Sequence, residues 1–188
     1  MDFAVRSRIL AGVAGLALGL WAAPANAAWE YYISHPLGFS VAMPGEIAAT
    51  RGTYEAEVAG RHNALVFSSS ERGIDYRVTV VDMRDVQNNA SNLLGEAGYN
   101  FQSTGRSIMD IHARADRHFG RKHTIDLPND GGRQIAQYYF LNGQLLEFKV
   151  SIPAGGDYAS PDVARFIDSV AFYPDMANQD SVELALPD

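Results

Sequence analysis

The chain has 188 residues, 47% of them hydrophobic and 20% charged, with no cysteine and a formal net charge of −7. This composition excludes collagen-like, disulfide-stapled, largely disordered and multi-span membrane proteins. Lack of cysteine also removes thiol nucleophiles, thiolate metal sites and disulfide exchange, so packing alone must hold the fold. A chain this long can bury a core of the required size.

Arg6 and Arg8 precede an uninterrupted apolar and glycine stretch from Ile9 to Trp21, followed by Pro24 and the small residues Ala25-Asn26-Ala27. This is the layout of a secretory signal, and the stretch is shorter than the roughly 20 residues needed to cross a bilayer. Residues 1–27 are therefore expected to be a cleavable signal peptide, cut after Ala27, which sends the chain to the periplasm or the medium. Retention as an uncleaved anchor is the alternative. Ser7 separates the two arginines, so the twin-arginine route is not indicated. Cleavage removes more basic than acidic charge and leaves no membrane span. The acidic remainder repels phosphate backbones, which argues against nucleic acid as a partner.

Beyond Ala27 the dominant pattern is alternation of apolar and polar residues, the signature of half-buried strands. Phe39 to Met43 alternates and stops at Pro44-Gly45. Gly60-Arg61-His62-Asn63 reads as a turn into a strand from Ala64 to Ser68. Ile74, Tyr76, Val78 and Val80 share one face of the next strand. Asn88 or Asn89 can then cap a helix in which Leu93, Leu94, Ala97 and Phe101 recur at helical spacing. Strands follow at about Ser107 to Ala113 and Arg121 to Leu127, with a reversal at Asn129-Asp130-Gly131-Gly132. Gln134 to Leu141 and the alternating run through Leu146, Phe148, Val150 and Ile152 are joined by Asn142-Gly143, a two-residue hairpin signal. A second helix has Ser160 as N-cap, Pro161 first and Val163, Phe166, Ile167 and Val170 on one stripe. Residues 175–188 read as an acidic, flexible tail. These elements predict a single α+β domain over residues 28–174, a twisted antiparallel sheet of six to eight strands covered by two helices.

The opening Phe39-Ser40-Val41-Ala42-Met43-Pro44-Gly45, the hairpin from Tyr138 to Val150 and the closing Ala164-Arg165-Phe166-Ile167-Asp168-Ser169-Val170 together resemble the PsbP-like group. That group is named for an extrinsic subunit of the photosynthetic oxygen-evolving complex and includes small exported bacterial proteins. The resemblance implies a central antiparallel sheet with helices packed on it, and an accessory or assembly role rather than catalysis. It transfers no functional residue, because the matching positions are turn and core residues.

Chemical motifs are sparse. His112, His118 and His123 lie in one stretch, but extended-strand parity separates His123 from the other two, and no paired-histidine metal motif accompanies them. They read as solvated residues of a polar strand face and turn. Ser68-Ser69-Ser70 lacks the nucleophile-elbow glycines of a serine hydrolase. Asp75, Asp82 and Asp85 fall near one strand and its exit and read as solvated. The one local departure from the acidic average is basic: Arg114, Arg117, His118, Arg121 and Lys122 form a candidate patch for an anionic or protein partner. No cofactor is implied. The expected role is an exported, non-enzymatic accessory or binding protein of the bacterial cell envelope, contacting a protein or an anionic envelope component. The alternatives are a small-molecule or anion carrier with a groove on the sheet, and then an unrecognised hydrolase.

Overall fold

Where apolar residues alternate, the chain is extended, and tight reversals set the order of the strands in space. The computed structural model describes residues 28–173 and 181–187. β1 (Trp29–Ser34) and β2 (Phe39–Pro44) form a first hairpin. β3 (Ala48–Ala56), β4 (Gly60–Glu71) and β5 (Ile74–Asp82) make one meander, followed by α1 (Ala90–Gln102). β6 (Arg106–Ala115), β7 (His118–Asp126), β8 (Arg133–Leu141) and β9 (Gln144–Ile152) make a second. α2 (Pro161–Asp168), β10 (Ala171–Phe172) and β11 (Val182–Glu183) complete the described elements.

The meanders join where β9 pairs with β5, giving an antiparallel seven-stranded sheet in the order β3-β4-β5-β9-β8-β7-β6. The β8–β9 hairpin turns at Asn142-Gly143 with φ of 51° and 75°, the left-handed pair such a two-residue loop requires. The remaining strands form a second sheet, ordered β10-β2-β1-β11.

The expectation of one sheet covered by two helices is thus too simple. β2 is buried along its whole length, so it needs a layer on each side and cannot edge a single sheet. The second sheet and α2 together cover one face of the large sheet. Phe39, Phe148, Phe166 and Phe172 are at most 1% exposed there. Phe172 meets Tyr139 edge-on at 4.9 Å between ring centroids, and Phe39 meets Phe148 at 5.6 Å, the geometry aromatic pairs favour. α2 begins as read from the sequence, with Ser160 Oγ accepting from the Asp162 amide at 3.3 Å, and it buries Val163, Phe166 and Ile167.

The opposite face is covered only in part. α1, capped by Asn89 Oδ1 accepting from the Asn92 amide at 2.9 Å, sets Leu93, Ala97 and Phe101 against Val81, Leu145, Ala136, Ile125 and Tyr138. Glu96 anchors the helix to the β3–β4 turn by accepting from the amides of Val58 (2.5 Å) and Ala59 (3.0 Å). The central strands beyond α1 keep a polar face.

Two further readings are corrected. Gly60 to Asn63 belongs to β4 rather than to a turn, because β3 pairs with it through Ala56–Gly60 and Thr53–Asn63. Residues 181–187 of the expected flexible tail are held: β11 runs parallel to β1, and the Leu184 amide donates to Ile33 O at 2.7 Å. Leu184 is 5% exposed and joins the core, so burial of one apolar side chain offsets the acidic composition. The rest of the tail (174–180 and 188) and the expected signal peptide (1–27) lie outside the described residues.

Truncating Phe166 to alanine should cost about 3–5 kcal/mol, as expected for a fully buried ring. Urea unfolding at neutral pH checks this; a loss under about 1 kcal/mol would mean that the ring lies outside the core.

Candidate functional site

The five residues of the candidate basic patch sit on the β6–β7 hairpin but do not converge. Strand alternation sends neighbours to opposite faces. Ala113 and Ala115 point into the core under the second sheet, so Arg114 between them faces outward on the α1 side. Its guanidinium lies 5.8 Å from the centroid of the Phe119 ring, and its Nε donates to Asp116 O at 2.8 Å. Arg117 is exposed in the turn. His118 points the other way and packs edge-on against Phe172 at 5.4 Å. Arg121 is hydrogen-bonded to Asp110. Lys122, one residue on, takes the opposite face and pairs in register with Ile111 and Gln137. Asp116 adopts a φ of 52°, and its Oδ2 accepts from the Phe172 amide at 2.8 Å, which ties the turn to β10. What remains exposed together is Arg114, Arg117 and Phe119, the last 71% exposed.

His123 corrects the reading of all three histidines as solvated. Its side chain is 3% exposed, beneath α1. Gln102 Nε2 donates to Nδ1 at 2.7 Å, and the Asp110 carboxylate stands 3.6 Å from the same nitrogen. With Nδ1 accepting, the ring proton lies on Nε2, which has no hydrogen-bond partner and faces Gly98. A Cβ at Gly98 would come within 2.4 Å of that nitrogen, so the glycine is what lets α1 close over the ring. Burial lowers the His123 pKa, and the Asp110 carboxylate opposes this only in part. Burial pushes the Asp110 pKa up, but hydrogen bonds from Arg121 and Gln102 outweigh it and hold the carboxyl below its ordinary value. His112 is exposed on β6, with Arg121 as its register partner. Among the described residues, no three histidine, aspartate or glutamate side chains are grouped to hold a metal ion.

On the uncovered half of the large sheet lies a depression of about 620 Å³ that sequence reasoning missed. Its floor is a cross-strand row, Ser68–Arg77–Lys149, and the neighbouring row Ser70–Asp75–Ser151–Gln134, with Glu46 at the rim. The Ser68-Ser69-Ser70 run is therefore part of β4, and its alternate members Ser68 and Ser70 face this depression. Another depression, of about 430 Å³, lies between Leu37, Leu65 and the charged residues Arg51, Asp82 and Arg84. Arg84 hydrogen-bonds the Asp82 carboxylate and holds its pKa down at about 2.

The arrangement of strands and helices has a solved counterpart. The solution structure of cyanobacterial PsbP (CyanoP) from Synechocystis superposes with a TM-score of 0.53 at 15% sequence identity, covering 83% of this chain and 99% of that one. The fold is PsbP-like. No family model and no curated protein matches the sequence itself. A PsbP-like fold agrees with the resemblance read from the strand and helix segments. No helix of the described residues is long and apolar enough to cross a membrane.

Because the folded pKa of His123 is depressed, its contribution to stability is complete above the unfolded value of about 6.5 and is lost as pH falls through the folded value. An NMR titration of the imidazole should give a midpoint below about 6.5, and His123→Gln should flatten the fall in urea midpoint between about pH 7 and 5. A midpoint at or above the ordinary value would place the ring in water.

Proposed function

We propose that this protein is an exported, non-enzymatic accessory protein of the bacterial cell envelope that docks an acidic protein surface with its β6–β7 hairpin. The observation that carries this reading is Phe119, an aromatic ring 71% exposed and flanked by Arg114 and Arg117 in an otherwise acidic chain. Exposed aromatic rings beside arginine are the usual make-up of interface hot spots. β6 is the outer strand of the large sheet among the described residues, and Ile111 on it is 47% exposed. Natural edge strands are normally blunted by charge or covered. The charge asymmetry would steer an acidic partner to this edge.

Export is supported by the charged, apolar and small-residue order of residues 1–27. The accessory role is supported by the likeness in fold to cyanobacterial PsbP and by the lack of any hydrogen-bonded serine–histidine pair among the described residues. A carrier of apolar small molecules would need an enclosed pocket, whereas the depression at Leu37 and Leu65 shares its lining with three charged side chains.

A photo-reactive phenylalanine at position 119, irradiated in the native envelope, should give a reproducible adduct with one protein. The adduct should fall at least threefold with Arg114→Glu and Arg117→Glu combined. Absence of an adduct, or one unaffected by charge reversal, would contradict a docking role for this edge.

A further inference from the structure

We propose that the depression on the uncovered half of the large sheet binds a small carboxylate that also carries hydroxyl groups, an acid sugar of the uronate class. Arg77 and Lys149 are directly opposed in register on β5 and β9, on the same face. Opposed residues of an antiparallel pair have Cβ atoms about 4.5–5.5 Å apart, and like charges there disfavour the fold. Arg77 is exposed, and Lys149 has one long ion pair within the protein. Arg77 makes no side-chain hydrogen bond or ion pair among the described residues. The Lys149 side chain is only 20% exposed, yet its nearest carboxylate oxygen, Glu147 Oε2, is 3.9 Å away. That carboxylate is already engaged, accepting from Tyr138 Oη at 2.7 Å and from Thr79 Oγ1 at 3.1 Å. Two adjacent cations held over a concave floor are the arrangement that an incoming anion neutralises.

The neighbours decide the rest of the ligand. Asp75 and Glu46 line the same depression, and an ionised carboxylate only accepts hydrogen bonds. An anion without an O–H group, such as sulfate, would face them with nothing to donate. A uronate places its carboxylate between Arg77 and Lys149 and offers its hydroxyls to Asp75 and Glu46. Gln134 donates to Ser151 Oγ at 3.1 Å, which leaves the Ser151 proton and the Gln134 carbonyl free for the ring. A volume of about 620 Å³ lies within the range of small-molecule sites.

The test is an NMR titration of the full chain with glucuronate, glucose and sulfate at matched ionic strength. Glucuronate should give saturable shifts confined to the strand segments around Ser68, Arg77, Lys149 and Ser151. Glucose and sulfate should each bind at least tenfold more weakly, and Arg77→Gln should weaken glucuronate at least tenfold. Without ligand, Arg77→Gln should melt about 1–3 °C higher, because it relieves the opposed charges. Lack of saturation by glucuronate, equal affinity for glucose or for sulfate, or an unaltered response in Arg77→Gln would each overturn the proposal. A lower melting point in Arg77→Gln would do so as well, by making Arg77 a structural residue.

Discussion

Uneven cover of one sheet governs this molecule. Seven antiparallel strands present two broad faces to be removed from water, and the chain spends most of its large apolar side chains on one of them. There Phe39, Phe67, Phe148, Phe166 and Phe172 interlock with Tyr76 and Tyr139 between the large sheet, the smaller sheet and α2. Close-packed rings of this kind tolerate little rearrangement, and they fix where the smaller sheet sits. The other face receives only α1, whose thirteen residues reach across part of it. The exposed hairpin edge and the polar depression both follow from that shortage of cover.

The same constraint explains the polar residues that are buried. α1 can approach β7 and β8 closely only because position 98 is glycine, and the space so made is filled by the ring of His123. Gln102 from the helix and Asp110 from β6 then supply partners on one side of the ring, while Nε2 is left without any. The unmatched donor is the cost of closing a short helix over a sheet face that also carries Arg121 and Tyr138. Tyr138 meets that cost differently: its hydroxyl donates to Glu147, and burial keeps the phenol protonated far into the alkaline range.

Much of this architecture is legible in the sequence because its central strands alternate cleanly. Ile74 to Val80 and the β8–β9 hairpin announce both their faces and, through Asn142-Gly143, their pairing. The α2 cap and stripe are equally plain. β1 escapes because Tyr32 interrupts the alternation of Trp29, Tyr31 and Ile33 with Glu30 and Ser34, and β3 escapes because its small and polar residues bury no face. The two-residue strands β10 and β11 are too short for any pattern and exist only through partners distant in sequence. For the basic patch, composition was misleading where parity was informative: Arg121 and Lys122 are adjacent, so strand geometry had to part them. The Arg77–Lys149 opposition lies beyond any linear reading, since it requires the register between β5 and β9.

The central claim is that one face is sealed by aromatic packing and the other is partly open. Solvent paramagnetic relaxation of ring-labelled phenylalanines reads this directly. A soluble paramagnetic agent should broaden the Phe119 resonances strongly and leave those of Phe39, Phe148, Phe166 and Phe172 sharp. Comparable broadening of Phe148 and Phe172 would show water between the two sheets and contradict the account.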